Sequence, residues 1–239
     1  MAYALPIATV VAVALIWFVN VPGMRAATQL ITAMTPSSAG VSSNIAVFEN
    51  LAAHPSFAAQ EVREQIISFA ASVVQSTSTT DAEKQKIAAL AITEMQKQAV
   101  AYPADARIRL QLSYAYRIAG DNANALKEIK IASTLSPKKE GILIEKGAAE
   151  WETGDIKSAQ ASFNTAYALG PQFSELALYA AAGNMVAGDQ KTADEILIKA
   201  YGTTSVDSDI LAAAYYRMKD WKSLAALWKS RAEKPGANI

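Results

Sequence analysis

The first 24 residues of the chain form an apolar segment without any charged side chain. From Ala4 to Val21 the run is almost wholly hydrophobic, and as a helix rising ~1.5 Å per residue it is about long enough to cross ~30 Å of hydrocarbon. Trp17 lies near the far end, where an indole favours the membrane interface. The pattern predicts a single-pass transmembrane anchor over residues 1–24, whose helix ends at Pro22-Gly23.

Two other interpretations of this segment are open. A cleaved signal peptide would carry a basic region before a shorter apolar core, and a small-residue cleavage site after it. A helix of a globular domain that packs one face on the core would keep a polar face, whereas Leu15, Ile16 and Phe18 cover every face. The retained anchor is therefore favoured. Arg25 is the first flanking cation, and the positive-inside rule then places the C-terminal part of the chain in the cytoplasm.

Between the anchor and residue 103 the pattern is helical but has no regular repeat. Residues 25–41 are predicted to be a juxtamembrane linker, in which Ala26–Met34 continues as an amphipathic segment. Residues 42–103 are predicted to form irregular helical hairpins. Their helices are expected at Ser43–Ala53, at Ala58–Gln75, and from Thr80-Asp81 to about Ala101, before Pro103.

Farther along the chain, turn and small residues recur at intervals of 34 positions. Glycine followed by aspartate suits a turn, because glycine accepts positive φ at a helix end and aspartate caps the next helix. Proline stops a helix, and alanine fits a close helix contact. The recurring columns are Gly120-Asp121, Gly154-Asp155 and Gly188-Asp189; Pro103, Pro137 and Pro171; Ala125, Ala159 and Ala193; and Ala132, Ala166 and Ala200.

This period resembles the tetratricopeptide repeat, a helix–turn–helix unit of about 34 residues. The resemblance covers residues 106–231 and implies an all-α fold with a superhelical array of helix pairs. Its units are 106–139, 140–173, 174–204 and 205–231, and residues 232–239 form a tail. Small residues are expected where the two helices of a unit cross, at Ser113, Gly147, Ala181 and Ala212. In the second unit Lys146 and Glu150 occupy expected apolar positions, which predicts a less regular or partly exposed first helix.

Composition excludes several classes of function. The chain has 22 basic and 22 acidic residues and a pI near 6.6, which excludes a strongly basic nucleic-acid binder. It has no cysteine and one histidine, so thiol chemistry and sites that need two histidines are excluded. His54 is interpreted as a helix C-terminal residue. No phosphate-binding loop or serine elbow occurs, and we predict no catalytic residue, metal or cofactor.

A second resemblance covers roughly residues 10–75. Phe18-Val19-Asn20, Arg25, His54-Pro55-Ser56-Phe57 and the run from Gln60 to Ile66 are similar to the C-terminal end of bacterial O-antigen ligase/polymerase-type membrane proteins that carry a tetratricopeptide tail. His54-Pro55 and Ala58 depart from that pattern. The resemblance implies a role in bacterial envelope or polysaccharide assembly beside a membrane glycan-assembly enzyme. The multi-helix catalytic body of that family is not present, so no glycosyltransferase activity is expected.

In stacked helix pairs the first helices line a concave groove, and that lining predicts a partner-binding surface rich in aromatic and polar residues. One column also carries Ala148, Ala182 and Ala213, which are expected to leave room for an inserted side chain. Ordinary packing between repeats is the alternative, especially for Tyr179. The predicted groove residues are Gln111, Tyr114, Arg117, Glu145, Trp151, Tyr179, Met185, Tyr216 and Arg217.

The leading hypothesis is a membrane-anchored tetratricopeptide scaffold that binds a protein or peptide in this groove. The alternative is that the chain is the C-terminal regulatory or interaction module of an O-antigen ligase/polymerase-type transferase, without catalytic residues of its own. A third hypothesis is a structural array that self-assembles laterally. None of the three hypotheses assigns chemistry to a residue of this chain.

Overall fold

The computed structural model describes residues 4–233, and its regular secondary structure there is entirely α-helical. The predicted all-α class is confirmed. Residues 1–3 of the predicted anchor and residues 234–239 of the predicted tail lie outside the described residues. The helices are α1 Ala4–Met34, α2 Val41–Ala53, α3 Ala59–Gln75, α4 Asp81–Ala101, α5 Ala106–Ile118, α6 Asn122–Leu135, α7 Glu140–Glu152, α8 Ile156–Leu169, α9 Ser174–Val186, α10 Gln190–Tyr201, α11 Asp209–Met218 and α12 Trp221–Ala232.

The chain divides into two compact units. Unit 1 comprises residues 1–103 and 111–121, and unit 2 comprises residues 104–110 and 122–239, so the division passes through α5. Helices α2, α3 and α4 of unit 1 begin and end within two residues of the positions expected from sequence. In unit 2, α6 to α10 pack in chain order, each against the next, whereas α11 packs against α9 and α12 packs against α11, as in stacked helix pairs.

In unit 1, α1 continues through Pro22 to Met34, so the predicted helix end at Pro22-Gly23 is wrong. A proline inside a helix removes one backbone hydrogen bond, but tertiary packing overrides that cost here. The small residues Gly23, Ala26 and Ala33 are buried where α1 packs against α2 and α3. Packing on the C-terminal side of the proline therefore holds the chain helical where local propensity favours a break.

Asn44 of α2 fixes the C-terminal end of α1. Its amide nitrogen Nδ2 donates hydrogen bonds to the carbonyl oxygens of Ala33 at 2.8 Å and of Thr35 at 2.7 Å. The last carbonyls of a helix have no partner within the helix, and a buried one needs an outside donor. The buried Asn44 amide supplies that donor and joins α1 to the rest of unit 1.

One described helix, Leu5–Met34, is long and apolar enough to cross a membrane by length and composition. Its most apolar window is not buried against the rest of the chain. Large hydrophobic side chains from Leu5 to Phe18 are exposed, which excludes a role as a core helix within the described residues. A signal sequence shares the length and composition of this helix.

The N-terminus of α4 is stabilised by a capping box. The Thr80 hydroxyl accepts from the Glu83 backbone N–H at 3.3 Å, and the Glu83 carboxylate accepts from the Thr80 backbone N–H at 2.9 Å. The Ser42 hydroxyl of α2 donates to the same carboxylate at 2.7 Å. These hydrogen bonds, led by the Thr80 backbone N–H, lower the pKa of Glu83 to about 2.

The repeat turns have one geometry, which confirms the tetratricopeptide-like array. Gly154 and Gly188 have φ values of 85° and 86°, and the following Asp155 and Asp189 each cap the next helix. In each turn the aspartate backbone N–H donates to the carbonyl five residues earlier at 2.9 Å. The turn before α12 keeps this bond at Asp220, although Lys219, with φ 58°, replaces the glycine.

Helix α7 is regular and well buried, so the predicted irregularity of the second unit is wrong. Glu150 is 2% exposed, and its carboxylate lies 3.1 Å from Lys146 Nζ. The Ser162 hydroxyl of α8 donates to the other carboxylate oxygen at 2.6 Å. Charged residues are tolerated at these two positions because they neutralise each other and are hydrogen-bonded at the α7–α8 contact.

Candidate partner-binding site

The predicted groove residues are divided between the two units. Gln111, Tyr114 and Arg117 belong to unit 1, and the other six belong to unit 2. The three residues of unit 1 follow one another on α5 and are partly buried. The guanidinium of Arg117 lies 6.0 Å from the ring centroid of Tyr114, at the outer limit of a cation–π contact.

An aromatic cluster forms the core beneath the predicted face of unit 2. The Phe163 ring of α8 contacts Trp151 of α7 edge-on, with centroids 5.7 Å apart, and contacts Tyr179 of α9 at the same separation. Trp151 is only 8% exposed, and Met185 is buried in the same cluster. The structure therefore places Trp151, Tyr179 and Met185 in the packing between repeats.

The predicted space at the alanine column is only partly present. Ala182 is fully buried in the same core, so the expected room at that position is wrong. Ala148 is partly buried and Ala213 is exposed. Glu145 is partly buried on α7. The space beside Ala182 of α9 is filled because the large rings of Phe163 and Trp151 pack in the same core.

Arg217 connects α11 to α7. Its Nη2 donates to the Glu152 carboxylate at 2.6 Å, and its Nη1 donates to the Trp151 carbonyl at 3.3 Å. The guanidinium carbon lies 5.1 Å from the centroid of the Trp151 ring, so the cation also covers the indole. Arg217 and Glu152 both remain partly open to solvent.

Tyr216 and Trp221 form an exposed aromatic pair next to Arg217. Their ring centroids are 5.6 Å apart in an edge-on arrangement, and they are 64% and 56% exposed. The pair arises because α11 ends at the left-handed Lys219, and α12 begins after the Asp220 cap. That tight turn returns the chain so that the first residue of α12 lies beside the last turn of α11.

The indole nitrogen of Trp151 is buried and has no acceptor among the described residues. A buried N–H without an acceptor costs about 1–3 kcal/mol relative to a satisfied one. This donor belongs to the ring that Arg217 covers, and Glu152 follows it directly in sequence. Helix α7 therefore provides the Glu152 anion and the unpaired Trp151 donor. Helices α11 and α12 provide the Arg217 cation and the exposed rings of Tyr216 and Trp221.

Three contributors to this arrangement were not among the predicted groove residues. Glu152 fixes Arg217, Trp221 pairs with Tyr216, and Phe163 supports Trp151 from below. Glu152 directly follows the predicted groove residue Trp151 in sequence. An acidic residue at that position could have been paired with the basic groove residue Arg217. Phe163 lies on a second helix of a repeat, and no pattern in the first helices points to it.

The acidic residues and the single histidine do not assemble into a metal centre. Within residues 4–233, no group of three or more histidine, aspartate or glutamate side chains is placed to hold a metal ion. His54 lies at the C-terminus of α2, where its Nδ1 is 3.0 Å from the Asn50 carbonyl oxygen. That position agrees with the predicted helix-terminal role of the histidine.

No protein-family model and no curated protein sequence matches this chain. Solved structures with a similar backbone include a crystal structure of MamA, at 17% identity and a TM-score of 0.48, covering 65% of this chain and 99% of that chain. A MamA structure from Desulfovibrio magneticus RS-1 has 14% identity and a TM-score of 0.49, covering 67% and 84%. A tetratricopeptide protein of Thermus thermophilus, TTC0263, has 18% identity and a TM-score of 0.48, covering 74% and 89%.

These similarities concern the backbone fold. The class of the chain is defined by its own turns and packing: it is an all-helical protein with a tetratricopeptide-like array, an architecture used for protein interaction. The structures named above do not include a glycan ligase or polymerase. The resemblance of residues 10–75 to O-antigen ligase/polymerase-type proteins therefore receives no support from them.

Proposed function

We propose that the chain is a membrane-anchored scaffold that binds a protein or peptide partner on the first-helix faces of its repeats. In unit 2 the binding surface comprises Glu152, Tyr216, Arg217 and Trp221, and the buried Trp151 ring supports Arg217 from below. The observation that carries this proposal is Arg217, which is held by Glu152 over the Trp151 ring and lies beside the exposed Tyr216–Trp221 pair. Arginine, tryptophan and tyrosine dominate the binding energy of protein interfaces.

The chemistry of this surface favours an extended peptide with an acceptor group next to an apolar side chain. A partner carbonyl or carboxylate would accept from the Arg217 guanidinium, which remains partly open to solvent. An apolar or aromatic side chain of the partner would pack on Tyr216 and Trp221. Glu145 remains part of the proposed face of unit 2, with Tyr179 and Met185 supporting it from the core, and Gln111, Tyr114 and Arg117 form a separate proposed face in unit 1.

A peptide-display selection against the full chain in lipid nanodiscs tests this surface. We expect selected peptides to lose about tenfold or more in affinity for a Tyr216→Ala/Arg217→Ala double variant, which is ~1.4 kcal/mol or more of binding energy. Trp228→Ala is the matched control, since Trp228 is another exposed aromatic and packs on Arg231 elsewhere on α12. Peptides that bind the double variant as tightly as the unchanged chain would overturn the proposed surface.

We also propose that residues 4–21 anchor the chain in a membrane as a single span, with the array on the cytoplasmic side. The exposed hydrophobic side chains of α1 support the span, and Arg25 supports the orientation. An anchored array meets membrane partners at a raised effective concentration. Carbonate extraction and protease digestion of sealed inverted vesicles test this: the chain should stay in the pellet and the array should be digested. A mature chain that begins after residue 24 would contradict the anchor.

The setting we propose is bacterial envelope or polysaccharide assembly, and its only support is the sequence resemblance of residues 10–75. The same resemblance supports the alternative, an interaction module of an O-antigen ligase/polymerase-type transferase. In both cases the chain supplies no catalytic residue. Co-purification with a multi-helix glycan ligase would favour this setting. Turnover of a lipid-linked oligosaccharide by the purified chain alone would contradict the absence of catalysis.

A further inference from the structure

The corner between α2 and α3 carries an exposed phenylalanine that rests on α1. Phe57 is 72% exposed, yet its ring lies directly over Gly23, where a Cβ atom on residue 23 would overlap the ring carbons. Gly23 itself is buried, so the ring occupies the notch that the glycine leaves on the α1 surface. Phe57 is therefore seated against the base of the apolar helix instead of in the core of unit 1.

The height of this ring relative to the proposed span follows from the continuity of α1. Gly23 is two residues beyond Val21, which corresponds to about 3 Å along the helix axis. The headgroup region of a bilayer extends roughly 5–7 Å beyond the hydrocarbon on each side. Because α1 passes through Pro22 without a break, the proposed span would place Phe57 at headgroup height.

The charge distribution around the corner agrees with a lipid environment. Residues 50–60, which include the whole corner, contain no aspartate, glutamate, lysine or arginine, and the flanking charges are Glu49 and Glu61. On α1 the neighbouring Met24 is exposed, and Arg25 follows it as a cation that can reach lipid phosphates. Entry of this corner into the headgroup region would therefore desolvate no aspartate, glutamate, lysine or arginine side chain between Glu49 and Glu61.

We infer that Phe57 inserts into the lipid headgroup interface and makes the α2–α3 corner a second membrane contact of unit 1. The inference rests on the proposed anchoring of residues 4–21, and the occupant it assigns to this surface is lipid. The continuity of the Phe57–Gly23 contact with the apolar face of α1 is the basis for that choice. A span and a second contact together hold unit 1 in one orientation to the bilayer, which a single flexible tether does not do.

Single-cysteine spin labelling tests the inference directly, because the natural chain contains no cysteine. The full chain is placed in vesicles of phosphatidylethanolamine and phosphatidylglycerol, and a nitroxide is attached at Pro55→Cys, which leaves Phe57 in place. Val13→Cys reports the span, and Val100→Cys reports an exposed site on α4. The measurement is the collision rate of each nitroxide with a water-soluble nickel chelate. We expect the rate at position 55 to be low, between the rate of the membrane-buried label at position 13 and that of the water-exposed label at position 100.

The Phe57 side chain is then changed in the Pro55→Cys background. Phe57→Asp and the uncharged Phe57→Ser are expected to raise nickel-chelate collision at position 55 several-fold towards the value at position 100. Phe173→Asp, at another exposed phenylalanine in unit 2, is expected to leave it unchanged. Helical circular dichroism verifies the fold of each variant, and two substitutions of different polarity guard against one that disturbs folding.

Each outcome separates the inference from the proposed anchor. A label at position 55 that is as accessible as the one at 100, while the label at 13 is buried, overturns the inference and leaves the anchor standing. The inference is also overturned if the label at position 55 is buried but its collision rate is unchanged by both Phe57 substitutions. Phe57 is then not the residue that contacts the membrane. An aqueous label at 13 overturns the proposed anchor, and the inference fails with it.

Discussion

The backbone of Gly147 on α7 lies against the ring of Phe163 on α8. A Cβ atom at position 147 would be 2.5 Å from the Cε1 atom of Phe163, well inside any normal carbon contact. Gly183 on α9 meets the other side of the same ring, where a Cβ atom would be 2.8 Å from Cδ2. One phenylalanine is thus enclosed by two helices that both depend on glycine to approach it.

Gly147→Val is expected to destabilise the chain by about 1–3 kcal/mol, because the new side chain overpacks the α7–α8 contact. Chemical unfolding of the full chain in detergent micelles measures the change. Gly141→Ala is the control on the same helix, since a Cβ atom there meets nothing within 4 Å. It should be neutral or stabilise by up to about 1 kcal/mol through helix propensity. Equal losses from the two variants would contradict the packing argument.

Lys146→Met is expected to destabilise the chain by about 2 kcal/mol, because it leaves the Glu150 carboxylate buried with Ser162 as its remaining partner. The double variant Lys146→Met/Glu150→Leu should recover much of that loss, since no charge is then left in the α7–α8 contact. Unfolding free energies of the two variants give the comparison. Lys191→Met is the control, because its pair with Glu195 is strongly exposed and should change stability little.

Lys219→Gly is expected to stabilise the chain by about 1 kcal/mol. Lys219 is the sole residue other than glycine with positive φ between residues 4 and 233, and glycine adopts that conformation without a steric cost. The substitution also restores the Gly-Asp pair of the other turns. Lys222→Gly, inside α12, should destabilise by a similar amount. A loss of stability in Lys219→Gly would show that the lysine side chain itself holds the turn.

Glu83→Gln is expected to lower stability at neutral pH, because it weakens the capping box and the bond from Ser42. The folded-state pKa of Glu83 is lowered to about 2 from 4.5, so its ionised form stabilises the fold above pH 4.5. That contribution is lost as the pH falls towards 2. Thermal unfolding between pH 7 and pH 2 should therefore show the variant and the natural chain converging in acid. Glu195→Gln, at an exposed glutamate, should show no such convergence.

The helix positions of this chain follow from local sequence signals to a large degree. Gly154 and Gly188 mark the turns because few other residues accept their φ values, and Asp155 and Asp189 follow as caps. Hydrogen bonds from the side chain and then the backbone of Ser158 lower the pKa of Asp155, and Thr192 does the same for Asp189. Such signals act within a few residues, so they can be read before any tertiary contact is known.

The predictions that proved wrong concern positions where contacts between residues distant in sequence determine the structure. Pro22 signals a helix end, but packing of Ala26 and Ala33 on α2 and α3 keeps α1 intact. Lys146 and Glu150 signal an exposed face, but a serine from the next helix makes their burial possible. In each case the energy of tertiary packing exceeds the local preference.

The candidate site also combines features that follow from the sequence alone with features that depend on tertiary packing. The 34-residue period determined by itself which residues lie on the first helices of the repeats, because periodicity reflects the helical geometry of each unit. Only the tertiary structure decided that Met185 and Trp151 are buried while Tyr216 is exposed, and that Glu152 holds Arg217. Burial depends on which side chains from other helices fill the space around a residue, and for Trp151 those are Phe163 of α8 and Arg217 of α11.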